Sequence, residues 1–282
     1  MRVKQLASAT LAAAVLLSGT VLAQGAATES QALGSQREAD RPRVLSEMPE
    51  GGPAPVNAEG RVLLQGQTPQ DKGVWTPVFG ILDPVAPAET VPFQPWSKAL
   101  YDARQLHELE PHARCKASGA ARQFLTPYGV EFVEMKDLGR MYIFDIGGPH
   151  TFRTIYMDGR EHPADFAPTN YGHSVGHWEG DTLVVDTVGY NEDFWLDRRG
   201  LPHTEQLHTI ERFTRVNENA IDYKITIDDP GAYTEPYEGG FYLRWNAGQE
   251  LFEYVCQQAN YAHELMVGQE SSSVDRSSPI VP

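Results

Sequence analysis

The chain has 282 residues, a formal net charge of −15 and two cysteines. Nucleic acids and anionic membrane surfaces carry the same sign of charge, so the acidic balance argues against both as partners. Two cysteines are too few for a disulfide-rich scaffold. Beyond the N-terminus, no apolar run approaches the roughly 18 residues that span a bilayer. The composition therefore indicates a solvated globular protein.

Residues 1–23 predict a cleavable signal peptide. Arg2 and Lys4 form a short basic region before an apolar run and a small-residue cleavage site. Thr20 stands where a lipoprotein would carry its acylated cysteine. We therefore expect a mature protein that begins near Gln24 and is periplasmic or secreted.

Residues 24–95 predict a long proline-rich arm. They hold half of the 20 prolines of the chain, and proline blocks helix interiors and removes hydrogen-bond donors. We expect little regular structure here and disorder up to about Gly60. Val74 and Trp75 lie in the later part of the arm, and their apolar side chains indicate that this part packs along the domain.

Residues 96–261 predict one β domain that begins with a helix. Ser97 is the expected N-cap of a helix over residues 98–109, and Pro111 ends it. Short apolar and aromatic runs follow, separated by Gly or Pro turns, and residues 220–228 alternate apolar and polar side chains with a period of two. The strands expected after the helix cover residues 131–135, 141–146, 151–157, the hairpin 173–188, 207–216, 220–228, 241–246 and 250–256.

About nine strands without βαβ alternation indicate an all-β sandwich or barrel. We expect a closed or nearly closed antiparallel barrel of lipocalin-like type with one helix, because hairpin connections predominate and a barrel leaves no exposed edges. The tail over residues 262–282 carries three consecutive serines and is expected to be mobile.

Five blocks carry a resemblance to a known group of proteins: LTPYGVEFVE, FRTIYMDGREHP, GHSVGHWEGDTLVVDTVGYN, WLDRRGLPHTEQLHTIERFTRV and ITIDDPGAYTEP. Over about residues 110–260 they resemble a family of exported bacterial proteins of largely uncharacterised function. This resemblance implies export but no particular reaction. The WEGDTL hairpin is also similar, more weakly, to turns of lipocalin-like barrels.

The segment 172–191 contains a G-x-S-x-G pattern around Ser174. A nucleophile elbow needs a helix after the serine, whereas a β-branched run follows here, so a serine hydrolase is disfavoured. The segment predicts a hairpin whose register decides which side chains share a face. A two-residue turn pairs Val175 with Asp186 and places both hairpin histidines on the Asp186 face, whereas a three-residue turn sends Asp186 to the opposite face. We favour the two-residue turn.

Cys115 and Cys256 are the only cysteines. In an oxidising compartment we expect them to form one disulfide, with two separately buried thiols as the alternative. Closing so long a loop is worth about 5 kcal/mol in the chain-entropy model.

The histidines also suggest a metal site. His173 and His177 are four residues apart on a strand, which separates them by about 13 Å at ~3.3 Å per residue, too far for one zinc ion. A site would need further ligands, and the candidates are His162, His203, His208, Asp186 and Glu211. The leading hypothesis requires no metal and no cofactor.

The leading hypothesis is an exported enzyme that uses histidine and carboxylate acid–base chemistry on a small, partly hydrophobic or aromatic molecule. Lyase, isomerase and hydrolase reactions all fit. The alternatives are a non-catalytic binder of a hydrophobic ligand and an extracytoplasmic metal-binding protein. The predicted catalytic residues are His173, Asp186, His203, His208 and Glu211, and the predicted substrate-binding residues are Tyr156, Arg160, Trp178 and Trp195.

Overall fold

Nine strands form a closed β-barrel, which confirms the predicted fold class. The computed structural model describes residues 47–78, 85–107, 110–126, 128–147, 151–254 and 256. The strands are β1 (Gly73–Pro77), β2 (Val130–Met135), β3 (Arg140–Asp145), β4 (Thr151–Tyr156), β5 (His173–Glu179), β6 (Thr182–Val188), β7 (His208–Asn217), β8 (Ala220–Asp228) and β9 (Tyr237–Ala247). Within these residues there is one α-helix, α1 (Pro95–His107).

The closing strand comes from the proline-rich segment. Strand β1 pairs with β2 and β9, and Trp75 lies opposite Trp245. The strand predicted over residues 250–256 was wrong, because none of its described residues is in a strand. The physical reason is that β9 already pairs with β8 on one side and β1 on the other, which leaves no edge for a further strand.

The hairpin of β5 and β6 has the register that a two-residue turn predicts. Val175 pairs with Asp186, and His177 pairs with Val184. His173, His177 and Asp186 therefore share the outer face of the barrel, whereas Ser174 and Thr187 point inward and are buried. Gly180 at the turn has a φ of +60°, a left-handed conformation that glycine adopts without strain.

Side chains fill the interior of the barrel. Phe124 is buried and packs its ring against those of Phe132, Phe213 and Tyr223. Phe124 belongs to a 3-10 helix, Ala120–Phe124, in which all five residues are buried. Residues 110–126 thus close one end of the barrel, and we call them the closing segment.

The N-terminal part of the described chain covers the other end. Trp75 Nε1 donates to the Leu64 carbonyl at 2.7 Å, and Arg215 Nη1 donates to the carbonyls of Leu63 (2.6 Å) and Gln65 (3.0 Å). Asn217 Nδ2 donates to the Pro49 carbonyl at 2.7 Å. These bonds pair polar groups that would otherwise be buried without a hydrogen-bond partner where β1 and β7 reach this end.

Helix α1 begins at Pro95, three residues earlier than predicted, and Ser97 is not its N-cap. The Ser97 hydroxyl lies inside the helix, 3.0 Å from the Gln94 carbonyl oxygen and 2.5 Å from that of Ala232. Its role is to attach α1 to the loop after β8, which a local sequence pattern does not show.

Cys115 and Cys256 form a disulfide with a Cα–Cα distance of 5.6 Å, as predicted. The bond attaches the chain after β9 to the closing segment. The predicted signal peptide, the beginning of the arm and the tail over 262–282 lie outside the described residues. In the part of the chain that is described, no helix is long and apolar enough to span a membrane.

Candidate functional site

The connection between β4 and β5 builds the candidate site. These two strands are parallel, with Ile155 opposite Ser174, whereas all other neighbouring pairs are antiparallel. Parallel neighbours need a connection that returns along the sheet. Residues 157–172 make this crossover, and they bring Arg160 and His162 to the outer faces of β4 to β7.

A carboxylate and three imidazoles meet beneath the crossover, and we call this group the outer-wall cluster. Asp186 Oδ1 lies 2.8 Å from His208 Nε2 and 3.2 Å from His162 Nε2. His162 Nδ1 lies 2.8 Å from His173 Nδ1. The predicted residues His173, Asp186 and His208 are thus connected, and His162 is the link between His173 and the carboxylate.

His173 is the most buried member of the outer-wall cluster. It is 7% exposed, its ring stacks on Tyr156 at 5.0 Å, and Phe166 from the crossover meets its edge at 5.5 Å. Burial lowers the pKa of His173 below its ordinary value, and the nearby His162 and Arg160 add to this effect. Aromatic packing therefore favours the neutral imidazole.

Arg160, one of the predicted substrate-binding residues, lies beside the cluster. Its guanidinium lies 3.9 Å from the centre of the Tyr156 ring and makes an ion pair with Asp158 at 2.6 Å. The hydrogen bonds from Arg160 lower the pKa of Asp158 to about 2. Tyr156 is thus covered on one side by His173 and contacted by an arginine, which brings the two predicted binding residues together.

His203 and Glu211 do not join the outer-wall cluster. The His203 ring is buried, with Nε2 3.0 Å from the Phe194 carbonyl oxygen, and burial lowers the pKa of His203 to about 4. Glu211 lies inside the barrel, where it forms an ion pair with Arg153. The separation of Glu211 from His208 was predictable from the sequence, because residues three apart on a strand face opposite sides.

Trp178 and Trp195 each pack against an arginine outside the outer-wall cluster. The Arg61 guanidinium lies 4.3 Å from the Trp178 ring centre, and that of Arg104 lies 4.6 Å from Trp195. These contacts cover apolar surface with an extended cationic side chain. Substrate binding by either tryptophan stays a prediction.

Ser174 lies in the polar interior of the barrel. Arg153 Nε donates to its hydroxyl at 2.9 Å, and Thr187 Oγ1 lies at 2.9 Å. Arg153 Nη2 also donates to Thr187 at 2.7 Å, and the Tyr223 hydroxyl donates to Glu211 at 2.9 Å. The G-x-S-x-G serine is thus a hydrogen-bonding partner of a buried arginine.

The sequence analysis named His162 as a candidate metal ligand and left it out of the predicted catalytic residues, whereas the structure gives it the central position of the cluster. Within the described ranges, no three His, Cys, Asp or Glu side chains are placed to hold a metal ion. No known protein family, curated protein or solved structure matches the chain. The resemblance to exported bacterial proteins stays a prediction.

Proposed function

We propose that the chain is an exported enzyme that uses the outer-wall cluster for acid–base chemistry on a small organic molecule. The observation that carries this proposal is the position of Asp186, whose Oδ1 is within hydrogen-bond distance of both His162 and His208. A carboxylate that fixes one ring nitrogen of a histidine leaves the other free to take or give a proton.

His208 is the proposed proton-transfer residue. When its Nε2–H donates to Asp186, the neutral ring carries its lone pair on Nδ1. The side chains of His208 and Asp186 are 36% and 37% exposed, so a molecule from solvent has access to them. Asp186 orients the ring and stabilises the imidazolium that forms when Nδ1 accepts a proton.

His162 and His173 are proposed to act as positioning residues. If His162 donates from Nε2 to Asp186, its Nδ1 is an acceptor, and His173 must donate from its own Nδ1 across the 2.8 Å contact. The chain of bonds then fixes the tautomer of both rings. Because His173 is clamped between Tyr156 and Phe166, it holds His162, and hence Asp186, in one orientation.

The groups around the cluster favour a substrate that carries both a ring and an anionic group. Tyr156 and Phe166 offer aromatic surface, and Arg160 offers N–H donors beside Tyr156. A guanidinium near the outer-wall cluster suits the developing negative charge of an enolate or a carboxylate on the bound molecule. Proton abstraction, elimination and isomerisation are the reactions that this arrangement supports.

The proposal is tested by incubating the protein in D2O with a small-molecule extract of bacterial culture and measuring deuterium uptake by mass spectrometry. An acid–base enzyme labels its substrate or product at the carbon from which it takes a proton. We expect at least one compound to be labelled by the wild type. His208→Ala and Asp186→Asn should slow labelling about 100-fold or more, the usual contribution of general acid–base catalysis.

His177→Ala is the matched control. His177 lies on the same outer face of the same hairpin, but it contacts Glu179 at 3.1 Å, outside the outer-wall cluster. We expect this variant to label the compound at the wild-type rate. Equal labelling by the wild type and His208→Ala would contradict the assignment of His208. A compound that is retained by the protein but never labelled would contradict catalysis and support a binder.

A further inference from the structure

Three aromatic rings gather on the outer face of β3 and β4, and we call this group (Tyr142, Phe144 and Phe152) the aromatic face. Phe144 and Phe152 are opposite each other on the two strands, with their ring centres 6.2 Å apart. The centre of the Tyr142 ring lies 5.9 Å from each of them. Phe152 is 57% exposed and Phe144 is 36% exposed. Exposed apolar side chains that cluster in this way indicate a surface that binds another molecule.

A charged side chain stands at each end of the aromatic face. Glu131 on β2 is opposite Phe144, and Arg140 on β3 is opposite Tyr156. The two charged residues are thus four residues apart along the strands and one strand apart across them. At ~3.3 Å per residue and ~4.8 Å between strands, their positions are about 14 Å apart. Tyr142 lies between them, and its hydrogen bonding to Arg140 raises the pKa of this arginine.

Glu131 and Arg140 make no ion pair among the residues that the structure describes. The neighbouring Glu250 is paired with Lys72 at 2.5 Å, and its carboxylate adds to the burial that raises the pKa of Glu131. The Arg140 guanidinium lies 5.5 Å from the centre of the Tyr156 ring, and its Nε atom is buried without a hydrogen-bond partner. The aromatic face therefore has an unpaired negative charge at one end and an unpaired positive charge at the other.

A complementary ligand carries a cation and an anion about 14 Å apart, with an apolar group between them. A short peptide with free termini has this pattern, because it carries an ammonium group at one end and a carboxylate at the other. Four extended residues span about 13–14 Å. The spacing of Glu131 and Arg140 therefore selects a peptide of about this length.

We propose that the aromatic face binds a peptide of about four residues that has free termini and an aromatic side chain. The peptide ammonium group would pair with Glu131, and its carboxylate would pair with Arg140. The aromatic side chain would pack on the rings of the aromatic face. Peptide binding here does not depend on the acid–base chemistry of the outer-wall cluster.

Isothermal titration calorimetry of the full chain with the tetrapeptide Ala-Phe-Ala-Ala tests this assignment. We expect saturable binding of one peptide per chain. Acetylation of the N-terminus or amidation of the C-terminus removes one charge, and each should raise the dissociation constant about fivefold, the contribution of one exposed ion pair. The dipeptide Ala-Phe spans only about 7 Å and should bind at least fivefold more weakly, because it cannot reach both charges.

Variants of the protein assign each end of the peptide. Arg140→Gln should weaken binding of the free tetrapeptide about fivefold and leave binding of the amidated peptide unchanged. Glu131→Gln should do the same for the free and the acetylated peptide. Phe152→Ala should raise the dissociation constant about tenfold, because it removes a ring contact. Lys224→Gln is the control, because it removes an exposed charge from β8, which does not adjoin β2, β3 or β4.

Thermal unfolding separates loss of binding from loss of folding, and we expect Glu131→Gln and Phe152→Ala to unfold at the wild-type temperature. A tetrapeptide that fails to bind the wild type would overturn the proposal. So would equal binding of the free and the capped peptides, or an Arg140→Gln variant that weakens the free and the amidated peptide by the same factor. A wild type that sediments as a dimer beside a monomeric Phe152→Ala variant would also overturn it, because a second copy of the chain would then cover the aromatic face.

Discussion

The buried carboxyl of Asp145 predicts a stability that falls as the pH rises. Burial raises its pKa from 3.8 to about 7 in the folded chain. Between these two values the folded state holds a proton that the unfolded state has released, so the free energy of unfolding decreases by about 1.4 kcal/mol per pH unit. Over the whole interval the loss from this one group is about 4 kcal/mol. The contribution is fully present below pH 4 and is lost above pH 7.

Urea unfolding of the wild type and Asp145→Asn at pH 4.5, 6 and 7.5 measures this effect. The amide keeps the shape of the side chain and does not titrate. Between pH 4.5 and pH 7.5 we expect the variant to gain about 3 kcal/mol on the wild type, because part of the loss already lies below pH 4.5. The difference in free energy of unfolding between the two proteins cancels the contributions of other titrating groups, such as His203 and Asp197. Curves that stay parallel at the three pH values would refute a buried, protonated Asp145.

Three further predictions concern the framework of the barrel. Glu211→Gln should cost about 3–5 kcal/mol in urea unfolding, because it leaves the charge of Arg153 without a carboxylate partner in the interior. Combining Arg153→Met with Glu211→Leu should recover most of that loss, and a double variant as unstable as Glu211→Gln would contradict a buried ion pair. Replacing Cys115 and Cys256 with alanine should lower the free energy of unfolding by up to about 5 kcal/mol, and an unchanged melting temperature would refute a structural disulfide. Gly180→Ala should cost about 1 kcal/mol by calorimetry through its left-handed backbone alone, because no other group lies within 4 Å of the added methyl.

The sequence predicted those parts of the fold that local patterns control. The alternation over 220–228 gave strand β8 to the residue, and the Gly180-Asp181 turn gave the register of the hairpin. The site was partly predictable for the same reason, since that register alone places His173 and Asp186 on one face.

The position of His162 was not predictable. It depends on the parallel pairing of β4 with β5, and the crossover of residues 157–172 has neither a helical nor a strand period that would reveal it. Strand β1 was also missed, because prolines surround it and its pairing partners in β9 lie about 170 residues away in the chain. Such long-range pairing leaves no trace in a short window of sequence.

The pairing of β1 with β9 determines when the barrel can close during folding. The two strands that close the barrel lie far apart in the chain, so the barrel cannot close until β9 has been synthesised. Contacts of such high sequence separation slow folding. Trp75 and Trp245 meet at this seam with ring centres 5.0 Å apart, so in a variant whose three other tryptophans are phenylalanine their fluorescence reports the closure of the barrel. We expect it to change last in a refolding experiment, after the hairpin of β5 and β6 has formed.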